Sequence, residues 1–161
     1  MKARIKFRKY GALRFIGHLD VMRFFQKLMR RADIPIAFTG GYSPHMIMSF
    51  ASPLGIGLTS DGEYLDIELT APVDSREAVE RMNAECVEGI EVMSICQIPD
   101  EKKMTGMTIL AAADYLISVK SGSLPDNWKN AFTDFMAREE IWVVKQTKRS
   151  EREVDIRPLV Y

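Results

Sequence analysis

The chain has two histidines, His18 and His45, and both fall in its first third. His18 stands in GHLD, just ahead of Asp20 and Arg23, and His45 closes TGGYSPH just after Ser43. An imidazole, a carboxylate and a guanidinium this close in sequence are groups that hold a phosphate or shape a polar substrate pocket. They could also cleave RNA without a metal. The 2′-hydroxyl would attack, His18 and His45 would exchange protons, and Arg23 would meet the developing charge. Each histidine has a plainer structural reading too, one beside a helix start and one in a turn, both hydrogen-bonded and idle. Two histidines and one aspartate without a spaced cluster make a poor ligand set, so no metal site is expected, and no cofactor either.

Other chemistries find less support. Neither Cys86 nor Cys96 has a second cysteine two or three residues away. They read as buried thiols in a reducing compartment. There is no G-x-S-x-G elbow and no glycine-rich loop ending in Gly-Lys-Ser/Thr. LGIGLTSDG precedes a strand and not a helix, so its glycines read as a conformationally demanding loop.

Charge supplies the stronger signal. The chain of 161 residues carries 22 Lys/Arg and 22 Asp/Glu, a net charge of zero. Residues 1–50 hold ten basic residues against two acidic, a surplus of eight, and the remainder holds twelve against twenty, a deficit of eight. Such asymmetry points to a partner, here a nucleic acid or another polyanion. No apolar run reaches the roughly 18 residues that span a bilayer, and the N-terminus lacks a signal-peptide core. A cytoplasmic location without membrane attachment is expected.

The elements that must position these residues follow from periodicity. ARIKFRK alternates and predicts a strand with a basic outer face. From His18 onward, Val21, Phe25, Leu28 and Ala32 recur at helical spacing, with Met22 and Met29 at the edge of the stripe. Arg23, Lys27, Arg30 and Arg31 gather on the opposite side, with Phe24 at the border. Asp20 is a candidate N-cap, or a charge favoured by the helix's positive end. Asp33 and Pro35 end the helix. IPIAF and MIMSFA read as short strands around the TGGYSPH loop. EYLDIELT follows as a strand, SREAVERMNAEC as a helix with a Ser or Asp cap, and GIEVMSICQI as a strand. Glu63, Tyr64 and Asp66 read as sheet-face polarity.

The fold class is α+β: a ferredoxin-like βαββαβ unit over residues 1–100, with four antiparallel strands under two helices. PDEKKMTG reads as a linker. A second, incomplete ferredoxin-like βαββ unit is expected over 105–161. It comprises a strand region MTILAAADYLISVK, a helix DNWKNAFTDFMAREE and a hairpin whose tip is KRSERE. Its missing helix and last strand point to a truncated chain or a smaller dependent unit.

RFIGHLDVMRFFQKLMRRADIPIAFTGGYSPH, with MIMSF, LGIG, GEYLDIEL and the late DIRP, resembles the radical SAM-linked DUF2344 family over almost the whole chain. GHLD with the downstream RRA…P…GYSPH is its most specific part. The matching positions are Arg14, Phe15, His18, Leu19, Asp20, Arg23, Arg31, Ala32, Pro35, Gly41, Ser43, Pro44, His45, Gly55 and Glu63. Family members often carry Phe-Asn where this chain has Tyr42-Ser43. The resemblance implies a radical SAM protein as partner and names no reaction. With no three-cysteine motif, the chain is not expected to be a radical SAM enzyme itself.

The reading that joins these strands is an accessory protein, more a holder than a catalyst, that binds RNA or another polyanion for a radical SAM enzyme. Arg14, Arg23, Lys27, Arg30 and Arg31 would meet phosphates, with Phe7, Phe15, Phe24 and Tyr42 as stacking candidates. His18, Asp20, Ser43 and His45 would shape the pocket. One rival is a docking module whose basic face meets the partner enzyme. The other is a metal-free ferredoxin-like endoribonuclease using His18 and His45, by fold analogy alone.

Overall fold

Residues 1–101, 104–147 and 150–161 are described by the computed structural model. They divide into two compact units, Met1–Ala112 and Ala113–Tyr161.

Alternation builds the first unit. In β1 (Lys2–Lys9) Ala3, Ile5, Phe7 and Lys9 are buried on one face, and Arg4, Lys6 and Arg8 take the other. β1 pairs antiparallel with β3 (Ser60–Glu68) and with β4 (Ile90–Ile98), and β3 pairs antiparallel with β2 (Met48–Phe50). The sheet order is β2-β3-β1-β4. A register shift between Lys6 and Phe7 opposite β4 marks a bulge. The extra residue resets the alternation, so Val92 and Ile95 both face inward. Over the inner face lie α1 (His18–Arg31) and α2 (Ser75–Ala84). Val21, Phe25, Leu28, Met29, Ala78 and Met82 join the strand residues in one core. This is the expected α+β, ferredoxin-like arrangement.

Local chemistry sets the helix ends. Asp74 caps α2 by accepting the Glu77 N–H at 2.8 Å. Asp20 does not cap α1. The N-cap is Gly17, and Asp20 lies inside the first turn, where its charge suits the helix's positive end. α1 closes with Asp33 at φ +50, the Asp33 N–H on the Arg30 carbonyl and the Ile34 N–H on the Met29 carbonyl. That is the Schellman pattern with an aspartate in the left-handed position. Arg81 of α2 completes the closure, donating Nε to the Ala32 carbonyl at 2.9 Å and reaching the Asp33 carbonyl as well. Arg81→Ala is expected to cost about 1.5 kcal/mol, because it strands carbonyls at a helix's negative end. Urea unfolding would measure it, and a loss below about 0.5 kcal/mol would mean that water replaces the guanidinium at no cost.

IPIAF is not a full strand. It contributes only isolated bridges, Ile36 to Leu69 and Phe38 to Met46. Pro35 has no N–H to offer, and the chain folds back so that the Ala37 carbonyl accepts from Ile47 while the Ala37 N–H donates to Glu68. The segment therefore shares the edge of β3 with β2.

The expected strand region from Met107 to Lys120 is also absent. Gly106–Ile109 forms a short helix, α3, and residues 110–120 hold no regular element. The reason lies on the sheet's open face. Arg4 and Asp66 sit opposite each other on β1 and β3 and pair through two bonds, of 2.7 and 3.0 Å. Their side chains are only 12% and 13% exposed. Asp66 also accepts the Gly106 N–H at 2.6 Å, and Arg4 donates to the Met104 carbonyl at 2.8 Å. These bonds fix the backbone at Met104 and Gly106, just ahead of the expected strand. Gly106 is required there, since a Cβ would lie 2.8 Å from the Ala51 Cβ. The first unit thus extends through what reads as a linker; Lys102 and Lys103 of that stretch lie outside the described residues.

The second unit holds α4 (Trp128–Met136) and an antiparallel pair, β5 (Trp142–Gln146) with β6 (Glu151–Asp155). DIRP knots its end. Asp155 accepts the N–H groups of Ile141 and Arg157, at 2.7 and 3.0 Å. Arg157 donates to the Arg138 and Val160 carbonyls, at 3.0 and 2.9 Å. Of the KRSERE tip, Lys148 and Arg149 lie outside the described residues.

Candidate functional site

At 100° per residue, Arg23, Lys27, Arg30 and Arg31 fall on one arc of α1, opposite the stripe that enters the core. Arg23 pairs with Asp20 at 3.2 Å, both well exposed. Among the described residues, Lys27, Arg30 and Arg31 have no carboxylate within ion-pair distance. The outer face of β1 differs. Lys2 meets Asp100, Arg4 meets Asp66, and Arg8 meets both Asp61 and Glu91. Of the two basic faces expected from the sequence, the strand's is largely neutralised within the fold and the helix's is open.

Beside α1 runs a groove of about 350 Å³, lined by Asp20, Arg23, Phe24, Lys27, Leu28, Arg31, Glu85 and Val87. Three of its lining groups are cations and three are apolar. Phe24 is half-buried and meets Phe25 edge to face at 5.6 Å. The other aromatic candidates lie elsewhere. Phe7 is in the core, Phe15 is exposed under the Arg14 guanidinium at 4.6 Å, and Tyr42 is fully exposed on its loop.

A second, smaller pocket of about 10 Å³, room for about one water, lies on the inner side of the sheet near the start of α1. Phe7, Lys9, His18, Val21, Phe50, Pro53, Leu54 and Glu63 line it. His18 meets the Phe50 ring edge to face at 5.0 Å. Lys9 is 2% exposed. Its ammonium donates to the Arg14 and Ile16 carbonyls at 3.4 and 3.1 Å, fixing the turn that leads into α1. Lys9 gave no sign in the sequence beyond its inward place in the alternation. Glu63, read as sheet-face polarity, lines this inner pocket and not the open face.

Burial pushes the Lys9 ammonium below its ordinary 10.5, against the opposing pull of Glu63. The unfolded chain then binds the Lys9 proton more tightly, so this contribution to stability rises as pH climbs through the lowered value toward 10.5. Cys86 acts in the opposite sense. Burial raises its thiol from 9.0 to about 11, and that contribution is lost as pH rises through about 11. Comparison with Lys9→Met cancels the thiol. Wild type is expected to gain on Lys9→Met as pH rises toward the ordinary 10.5 in urea unfolding. A constant difference would mean that the ammonium is solvated. Cys96, expected to be buried, is exposed.

The remaining expected site residues are dispersed. Arg14 lies in the turn before α1, with its Nε buried and without a hydrogen-bond partner. Ser43 and His45 stand in the exposed loop that Thr39 and His45 close, where the Thr39 Oγ1 accepts the His45 N–H and meets its Nδ1, both at 3.1 Å. Neither Ser43 nor His45 lines the groove or the small pocket. His18 lines the small pocket and not the Arg23 groove. No group of three or more metal-ligating side chains occurs among the described residues, and no helix there is long and apolar enough to cross a membrane.

Residues 2–161 match a family model described as an uncharacterized protein conserved in bacteria, DUF2344. No curated protein and no solved structure matches the chain.

Proposed function

We propose that this chain, which belongs to the DUF2344 family, is a binding protein that holds RNA or another polyanion on the outer face of α1. The observation that carries the reading is the contrast between the two basic faces. The sheet cations at Arg4 and Arg8 are engaged in internal pairs, while Lys27 and Arg31 line a groove without an ion pair among the described residues and Arg30 is unpaired on the same arc. Unpaired cations in a row along a rigid helix form an electrostatic track for a phosphate backbone. The resemblance of GHLD and GYSPH to the radical SAM-linked family supplies the further proposal that the bound molecule is presented to a radical SAM enzyme. The protein would then be an accessory and not the catalyst.

The test is binding to a cellular RNA pool across a salt series, with the partner sought separately by affinity capture. Steep salt dependence that reversal of the α1 charges flattens supports the reading. No binding at low salt overturns it, and loss of a protein complex under the same charge reversal would mark the face as a docking surface instead.

A further inference from the structure

The groove beside α1 is more than a row of charges, and from its composition we infer that it takes an unpaired, amino-bearing base of a single-stranded RNA. This inference rests on the polyanion reading and narrows it.

Arg23, Lys27 and Arg31 stand four residues apart along one rim, hence about 6 Å apart along the axis. They can follow successive phosphates of one strand. The groove's apolar lining is Phe24, Leu28 and Val87, of which Leu28 is buried, Phe24 half-buried and Val87 exposed. A lining of that kind offers a phosphate nothing, but it suits the flat face of a base. A duplex keeps its base faces stacked inside, so it could use only the rim. A single strand offers both a phosphate and an open face. The Phe24 ring is held edge-on to Phe25, with 88° between the planes, so it is set in place before any ligand arrives.

The groove also holds two carboxylates, which a simple phosphate sink would avoid. Asp20 is engaged by Arg23. Glu85 has no ion pair among the described residues. A phosphate would be repelled by it. The exocyclic amino group of cytosine or adenine would donate to it, as bases do to carboxylates in grooves, and uracil has no such donor.

Labelled oligocytidine, oligoadenosine and oligouridine, an RNA duplex and inorganic polyphosphate are titrated against wild type, Phe24→Leu and Glu85→Gln. The amino-bearing single strands are expected to bind about tenfold tighter than duplex or polyphosphate at matched charge, and Phe24→Leu to remove most of that margin. Glu85→Gln, at an exposed position that leaves the core untouched, should narrow the preference over oligouridine, because an amide oxygen accepts more weakly than a carboxylate and its NH2 can donate to uracil O4, while leaving polyphosphate bound at least as tightly. Equal affinity for single strand, duplex and polyphosphate would overturn this inference and leave the polyanion reading standing. Failure of all five probes to bind would overturn both.

Discussion

Asp66→Ala is expected to destabilise the chain by about 3 kcal/mol, the largest effect expected from breaking one of its ion pairs. The Arg4 and Asp66 side chains are 12% and 13% exposed, so water screens the pair little. Removing the carboxylate leaves Arg4 with only the Met104 carbonyl and deprives the Gly106 N–H of its acceptor. In a chain of this size, that loss should lower the melting temperature by roughly 6–12 °C. Asp66→Asn keeps the shape and part of the hydrogen bonding, and about half the loss is expected. Replacing both partners, Arg4→Met with Asp66→Leu, should recover most of the stability, because the large cost comes from a charge left buried and alone. Amide exchange at Gly106 provides a local readout, and its protection should fall in Asp66→Ala. A loss below about 1 kcal/mol would mean that the pair behaves as a surface bridge.

The second large effect concerns binding. If Arg23, Lys27, Arg30 and Arg31 each meet one phosphate of a single strand, the slope of log affinity against log salt should be about −2.8. Between about 50 and about 200 mM salt, affinity should fall about 50-fold. Arg30→Glu with Arg31→Glu should halve the slope and weaken binding at low salt by about a hundredfold, since two attractions become repulsions. The cost to folding should be modest, about 1–2 kcal/mol from two carboxylates in the last turn of α1, because both side chains are exposed and neither has an ion pair to lose among the described residues. Reversing Arg8, already engaged by Asp61 and Glu91, should change binding far less. If Arg8 reversal matters as much as the α1 pair, the binding face is the sheet and the reading fails.

Much of the architecture was legible from residue order. Alternation in ARIKFRK and EYLDIEL and helical spacing from Val21 to Ala32 follow from the strict periods of strand and helix, which hold wherever one face enters a core. The two stretches that misread are those where a particular contact outweighed local preference. IPIAF lost its strand to Pro35 and a fold-back onto β2's neighbourhood, and the stretch from Met107 lost its strand because the Arg4–Asp66 pair captured the backbone just before it.

The candidate site divides the same way. The charge surplus in residues 1–50, the cationic arc of α1 and the apolar border at Phe24 are properties of composition and helical geometry, and the sequence by itself determined them. Which cations remain available is a matter of distance across strands remote in sequence. Only the tertiary structure decided that Arg4 and Arg8 are neutralised while Lys27, Arg30 and Arg31 stay open. It also separated His18, packed on Phe50 beside Lys9 and Glu63, from His45 on its exposed loop. The physical reason is that an ion pair or a buried ammonium depends on groups brought together by strand register, and register is set by the whole sheet and not by neighbours in the chain.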